Sequence, residues 1–194
     1  MLPMNRNSLT RTFRSLSVAI GTAVAASVLV TPAPSTGTAF CSGDGSGTAC
    51  PCGNSGFPGG GCAHSSFPGA ILSATGSASL ASDTLQVHCS GLPFDATATA
   101  LLFQGTAQEA GGAGVVMGSG LRCVGGSIRR LGMKTLAGTL DWGQPVGDTP
   151  LHTRGQITVA STVHYQVWFR DNAFTGCAEP KFNFSNGLSV TWTP

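Results

Sequence analysis

Four of the seven cysteines in this 194-residue chain, Cys41, Cys50, Cys52 and Cys62, lie in a stretch from Phe40 to Pro68 that is crowded with glycine and nearly empty of apolar side chains. Such a segment has too little hydrophobic surface to collapse by itself, so its backbone must be fixed by covalent bridges or by a metal. The chain is also short of charge: 9% of residues are charged, against roughly 25% in an ordinary globular domain. That figure excludes a basic nucleic-acid binder and a charge-rich disordered tail.

Disulfides need an oxidising compartment, and the N-terminus reads as an address for one. Arg6, Arg11 and Arg14 precede an uncharged, Ala- and Val-rich run from Leu16 to Val30, followed by small residues and prolines. This is the pattern of a secretory signal. The small-x-small rule places cleavage after Ala39, whereas Pro34 disfavours cleavage after Ala33. A run of about 15 residues is short for a membrane anchor, which needs roughly 18 or more, and bulky Phe40 disfavours lipidation of Cys41. Removing residues 1–39 takes away three of the ten basic side chains and none of the eight acidic ones. The basic character of the full chain therefore belongs largely to the leader and predicts no anionic partner. The expected location is secreted or cell envelope, with no stable membrane span after cleavage.

After Gly69 the chain changes character, with short apolar runs broken by Gly, Pro, Asn or Asp roughly every 8 to 15 residues. Alternation of period two predicts strands over residues 70–75, 84–90, 98–104, 113–117, 121–124, 127–131, 156–160, 164–170 and 188–193. In the second of these, Leu85, Val87 and Cys89 share one face, with Gln86 and His88 on the other. No stretch holds a helical apolar stripe for three turns, and the glycines at 107–114 argue against a helical turn there. The expected organisation is a signal peptide (1–39), a Gly/Cys-rich segment (40–68) and an all-β antiparallel sandwich (69–194), Ig-like or jelly-roll-like.

Seven cysteines in an exported chain imply a disulfide framework with one thiol left over. Cys89 is the candidate free thiol, because it lies mid-strand on an apolar face while the other six sit beside glycines or prolines. Cys123 and Cys177, outside the N-terminal cluster, are expected to pair with each other. Among Cys41, Cys50, Cys52 and Cys62 a Cys50–Cys52 bond is strained, so two connectivities stay open. A zinc site from Cys50, Cys52, Cys62 and His64 is disfavoured, since each pair has a single intervening residue where two to four are usual. Asp44-Gly45-Ser46-Gly47 offers one carboxylate where a calcium loop uses several.

No catalytic set or cofactor motif emerges. The acidic residues, Asp141 and Asp171 among them, mostly flank turns, and nothing in their spacing selects the facing pair that glycoside hydrolysis needs. His64, His88, His152 and His164 share no metal-binding spacing, and the serines lack a strand-turn-helix nucleophile elbow. Arg122, Arg129 and Arg130, with Lys134, form a basic cluster suited either to an anionic glycan or to a solvated face. In His164–Arg170, Tyr165, Val167 and Phe169 point one way and Trp168 the other. That second face is either a platform for sugar stacking or a surface buried beneath a loop. Trp168, Arg122, Arg129 and Arg130 form the candidate ligand patch.

The stretches 45–54 (GSGTACPCGN), 102–105 (LFQG), 120–127 (GLRCVGGS), 130–132 (RLG), 165–171 (YQVWFRD) and 182–192 (FNFSNGLSVTW) together resemble a module recurrent in exported proteins of planctomycete-type bacteria. The resemblance implies an extracytoplasmic accessory module and carries no activity, ligand or catalytic residue. The expected function is a non-catalytic module for extracellular or cell-envelope interaction, with a glycan or an envelope protein as partner. The alternatives are a hydrolase acting on extracellular polymer, which needs two facing carboxylates or a histidine with a nucleophile, and a structural envelope component with exposed edge strands.

Overall fold

Alternating apolar residues build two facing antiparallel sheets in the computed structural model, which describes residues 35–177 and 181–194. Most of the expected signal peptide, residues 1–34, lies outside them. In chain order the strands begin with β1 (Thr38–Phe40), β2 (Ile71–Thr75), β3 (Gln86–Ser90), β4 (Thr99–Gly105) and β5 (Ala107–Gln108). They continue with β6 (Val115–Met117), β7 (Gly120–Arg122), β8 (Val124–Gly125), β9 (Arg129–Thr135) and β10 (Leu140–Trp142). After a five-residue helix, α1 (Leu151–Gly155), come β11 (Thr162–Arg170), β12 (Phe182–Phe184) and β13 (Gly187–Thr191). The large sheet runs β1-β13-β11-β4-β9, with β12 on the end of β11, and the small sheet runs β10-β3-β2. The pairings between these strands are all antiparallel. The all-β antiparallel expectation is therefore met.

The inward faces follow the predicted alternation. Leu72 and Ala74 of β2, Leu85 before β3, and Val87 and Cys89 of β3 meet Ala100 and Leu102 of β4 and Tyr165, Val167 and Phe169 of β11 in one buried core. The Tyr165 hydroxyl accepts a hydrogen bond from the Trp192 indole at 2.9 Å, so its polar end is satisfied inside that core.

Three expectations are corrected. Residues 156–160 form no strand, because Gln156 takes a left-handed conformation (φ 53°) as it terminates α1. Residues 109–112 do form a 3-10 turn: Ala110 and Gly111 adopt positive φ, which glycine adopts readily. The run 121–124 is split into β7 and β8 at Cys123. The backbone N–H of Cys123 donates instead to the buried side chain of Gln166 on β11, at 2.9 Å.

The disulfide pattern also departs from expectation. Cys123 pairs with Cys41 and Cys177 with Cys52, so the expected Cys123–Cys177 bond does not form; Cys50 pairs with Cys62. The physical reason is that the Gly/Cys-rich segment is no separate appendage. It lies on the outer face of the large sheet, where Cys41, Cys50 and Cys62 pack with Phe103, Leu121, Cys123, Val124 and Phe184 as a second buried cluster. Gly61 permits this close approach, since a side chain there would collide with the carbonyl oxygen of Phe184. Cys89 is free and fully buried, and burial, with Asp141 nearby, pushes its thiol pKa far up, leaving it protonated and unreactive.

The expected cleavage site after Ala39 falls within a paired strand. Thr38, Ala39 and Phe40 pair with Ser189, Leu188 and Gly187 of the large sheet, while Thr36 donates its backbone N–H to Ala74 and its hydroxyl to Gly76 beside the small sheet. Residues 35–40 thus lace the two sheets together along one side. If the chain is exported and cleaved, N-terminal sequencing of the product is expected to read from Ser35 or from a residue before it. A product beginning at Phe40 would show that this lacing is dispensable.

Candidate functional site

The outer face of the large sheet divides into two zones. Toward one end, Gln166 of β11 is fully buried, accepting from Cys123 N–H at 2.9 Å and donating to the carbonyl oxygens of Leu121 (2.9 Å) and Ser185 (2.7 Å). Two residues on, Trp168 lies beyond the cover. It is half-buried, with its indole 5.8 Å from the Phe182 ring, and Phe182, Phe184 and Phe103 continue edge to face into the second cluster. The outward face of β11 is therefore covered at Gln166 and partly open at Trp168.

Where the cover ends, a groove of about 440 Å³ opens. Its floor is Leu101 and Phe103 of β4 with Phe184, and its walls carry Trp168, Met117 and Met133. Met133, Ile128 and Met117 are 65%, 48% and 41% exposed, a clustering of large apolar side chains in water that a folded surface ordinarily avoids. Groove volumes of this size are at the lower end of those that hold small ligands or anchoring side chains.

A β-bulge places the charged wall. Leu101 faces Met133 across the ladder and Leu102 faces Gly132, but Phe103 faces Arg130, so Leu131 is the extra residue of β9. Without the bulge, strict alternation would turn Leu131 outward with Met133 and Arg130 inward. With it, Leu131 joins the core at 2% exposure and Arg130 stands over the groove.

The structure brings together three of the four candidate patch residues: Trp168, Arg122 and Arg130 all line the groove. Arg129 is not among them. As the neighbour of Arg130 it points to the opposite face, where its guanidinium donates to Gln156 at 2.7 Å. Lys134 likewise turns away, toward Asp148 at 2.9 Å. Arg122 is matched by Glu109 at 2.6 Å, whereas no carboxylate among the described residues pairs with Arg130 or with Arg170, which lies 5.8 Å over the Trp168 ring. The residues missed by sequence reading are Met117, Ile128 and Met133. The signal for Met133 was a strand continuing through Thr135 rather than ending at Leu131.

The other chemically interesting residues are engaged elsewhere. Cys50, Cys52 and Cys62 are in disulfides, and His64 donates through Nε2 to the Gly91 carbonyl at 2.7 Å while its Nδ1 accepts from the Ser66 N–H at 3.4 Å, so the thiolates that a zinc site would need are absent. Burial holds the His64 pKa below the usual imidazole value, favouring that neutral form. Asp171 is buried against the backbone N–H and hydroxyl of Ser65. On the outward face of the small sheet, His88 lies between Asp141 (Nδ1, 2.6 Å) and Thr75 (Nε2, 2.8 Å), three side chains from three neighbouring strands. A second relay of the same composition, Asp83–His152–Thr153, ties α1 to the loop before β3. Repetition of the pattern at a helix fits ordinary cross-element hydrogen bonding.

Among the described residues no helix is long and apolar enough to cross a membrane. No protein-family model matches the chain, and neither a curated protein nor a solved structure matches it at a significant level.

Proposed function

We propose that the protein works outside the cytoplasm as a non-catalytic interaction module, with the groove on the large sheet as its contact surface. The observation carrying this reading is the gathering of exposed Met117, Ile128 and Met133 with half-buried Trp168 around one concavity. Leaving such side chains in water costs stability that burial against a partner recovers, at about 25 cal/mol per Å² covered. Three disulfides support a location where thiols are oxidised, and the accessory role implied by the module resemblance is retained.

A hydrolytic reading has one specific observation in its favour, the Asp141–His88–Thr75 relay. In it Asp141 orients the imidazole and Nε2 accepts the threonine proton, the geometry of an activated hydroxyl. It lies on the flat outward face of a three-stranded sheet, apart from the groove.

One experiment separates these readings. The oxidised protein is incubated with envelope and polysaccharide fractions of the producing cell, and both retention and released fragments are measured. Retention without release is expected, falling at least tenfold in Met133→Glu, which places a charge in the apolar wall. Release that disappears in Thr75→Val would replace this proposal with a hydrolase. Self-assembly without retention would favour a structural envelope component.

A further inference from the structure

The walls of the groove narrow what can fill it. Its lining is Leu101, Phe103, Phe184, Trp168 and the two methionines, with Thr99, Arg122 and Arg130 among its few polar members. A sugar ring seated there would lose water from several hydroxyls and find few partners for them, each unmet group costing about 1–3 kcal/mol. A small inorganic anion would use the arginines and leave the apolar trough wet. The charge is also lopsided. Glu109 neutralises Arg122, while Arg130, turned outward by the bulge, and Arg170, above Trp168, have no carboxylate partner among the described residues.

We infer that the groove takes an extended segment of a partner protein in which apolar side chains are flanked by carboxylates. This rests on the reading of the groove as a contact surface. A large apolar side chain of the segment packs between Met117 and Met133, whose unbranched, polarizable side chains adapt to its shape. A flanking carboxylate meets the Arg130 guanidinium, which suits planar two-point pairing. The near-zero net charge of the chain after leader removal does not oppose this, because steering depends on the local field around the groove rather than on the total.

The three tryptophans supply the assay. Trp142 and Trp192 are 2% and 1% exposed, so changes in fluorescence on binding report chiefly on Trp168. Three nine-residue synthetic peptides are titrated into the oxidised protein without its leader: Leu and Phe flanked by glutamates, the same apolar residues flanked by lysines, and glutamates around alanines. An oligogalacturonate is the fourth probe. The glutamate-flanked apolar peptide is expected to shift Trp168 emission and to bind at least tenfold more tightly than the other two peptides, with affinity falling as salt rises. Arg130→Glu is expected to reverse the order of the two charged apolar peptides, and Arg130→Gln to abolish the preference, with circular dichroism reporting the fold in both. Equal binding of acidic and basic peptides, or saturation by the oligogalacturonate where no peptide saturates, overturns the inference. If envelope retention persists without the acidic preference, only the identity of the partner falls. If retention itself is missing, the contact-surface reading falls with it.

Discussion

Reduction of the oxidised protein is expected to unfold it at room temperature, with loss of near-ultraviolet circular dichroism and exposure of Cys89 to thiol reagents. The expectation follows from loop lengths. The Cys41–Cys123 and Cys52–Cys177 bonds close loops of 82 and 125 residues, and Cys50–Cys62 one of 12. In the chain-entropy treatment these constraints lower the freedom of the unfolded chain by about 4.5, 5 and 3 kcal/mol respectively. A domain of this size has a total stability of roughly 5–15 kcal/mol. Removing all three therefore takes away an amount comparable to everything that holds the fold. Replacing single pairs by alanines should rank the same way, with the Cys50–Cys62 pair costing least. A reduced protein that keeps its cooperative thermal transition would show that the sandwich core suffices without sulfur bridges.

Gln166→Leu is expected to be the most damaging single substitution outside the cysteines. Gln166 is fully buried and satisfies three backbone groups at once, Cys123 N–H and the carbonyl oxygens of Leu121 and Ser185. Leucine has similar bulk and leaves all three unmet in a dry environment, at about 1–3 kcal/mol each, or roughly 3–9 kcal/mol in all. The loss would also loosen the β7–β8 segment and with it the half of the disulfide carried by Cys123. Urea unfolding provides the measurement, and Gln166→Glu serves as a control of similar shape. A midpoint for Gln166→Leu within error of wild type would show that these groups find other partners.

Much of the inner face was legible because a strand's side chains obey a period of two regardless of what lies across from them. Leu85, Val87 and Cys89, and likewise Tyr165, Val167 and Phe169, were placed on core faces by alternation, and all six are buried at 0% exposure. The groove was half legible. Trp168, Arg122 and Arg130 carry chemistry visible in one dimension. Arg129 was included with them because sequence adjacency does not report that neighbours point to opposite faces. Met133 and Ile128 were passed over because an exposed methionine and a core methionine look the same in one dimension.

Composition and alternation are local properties, and they alone make this chain a strand protein short of ion pairs, with a cysteine-rich segment that cannot collapse unaided. Which cysteines meet, the pairing of residues 38–40 with the large sheet, and the outward turn of Arg130 beside Met133 come from the packed fold. Those outcomes depend on through-space proximity of segments as much as 125 residues apart and on a bulge in one ladder. Neither is encoded in the spacing of any short motif, because register and loop closure are settled by the packing of all the strands together.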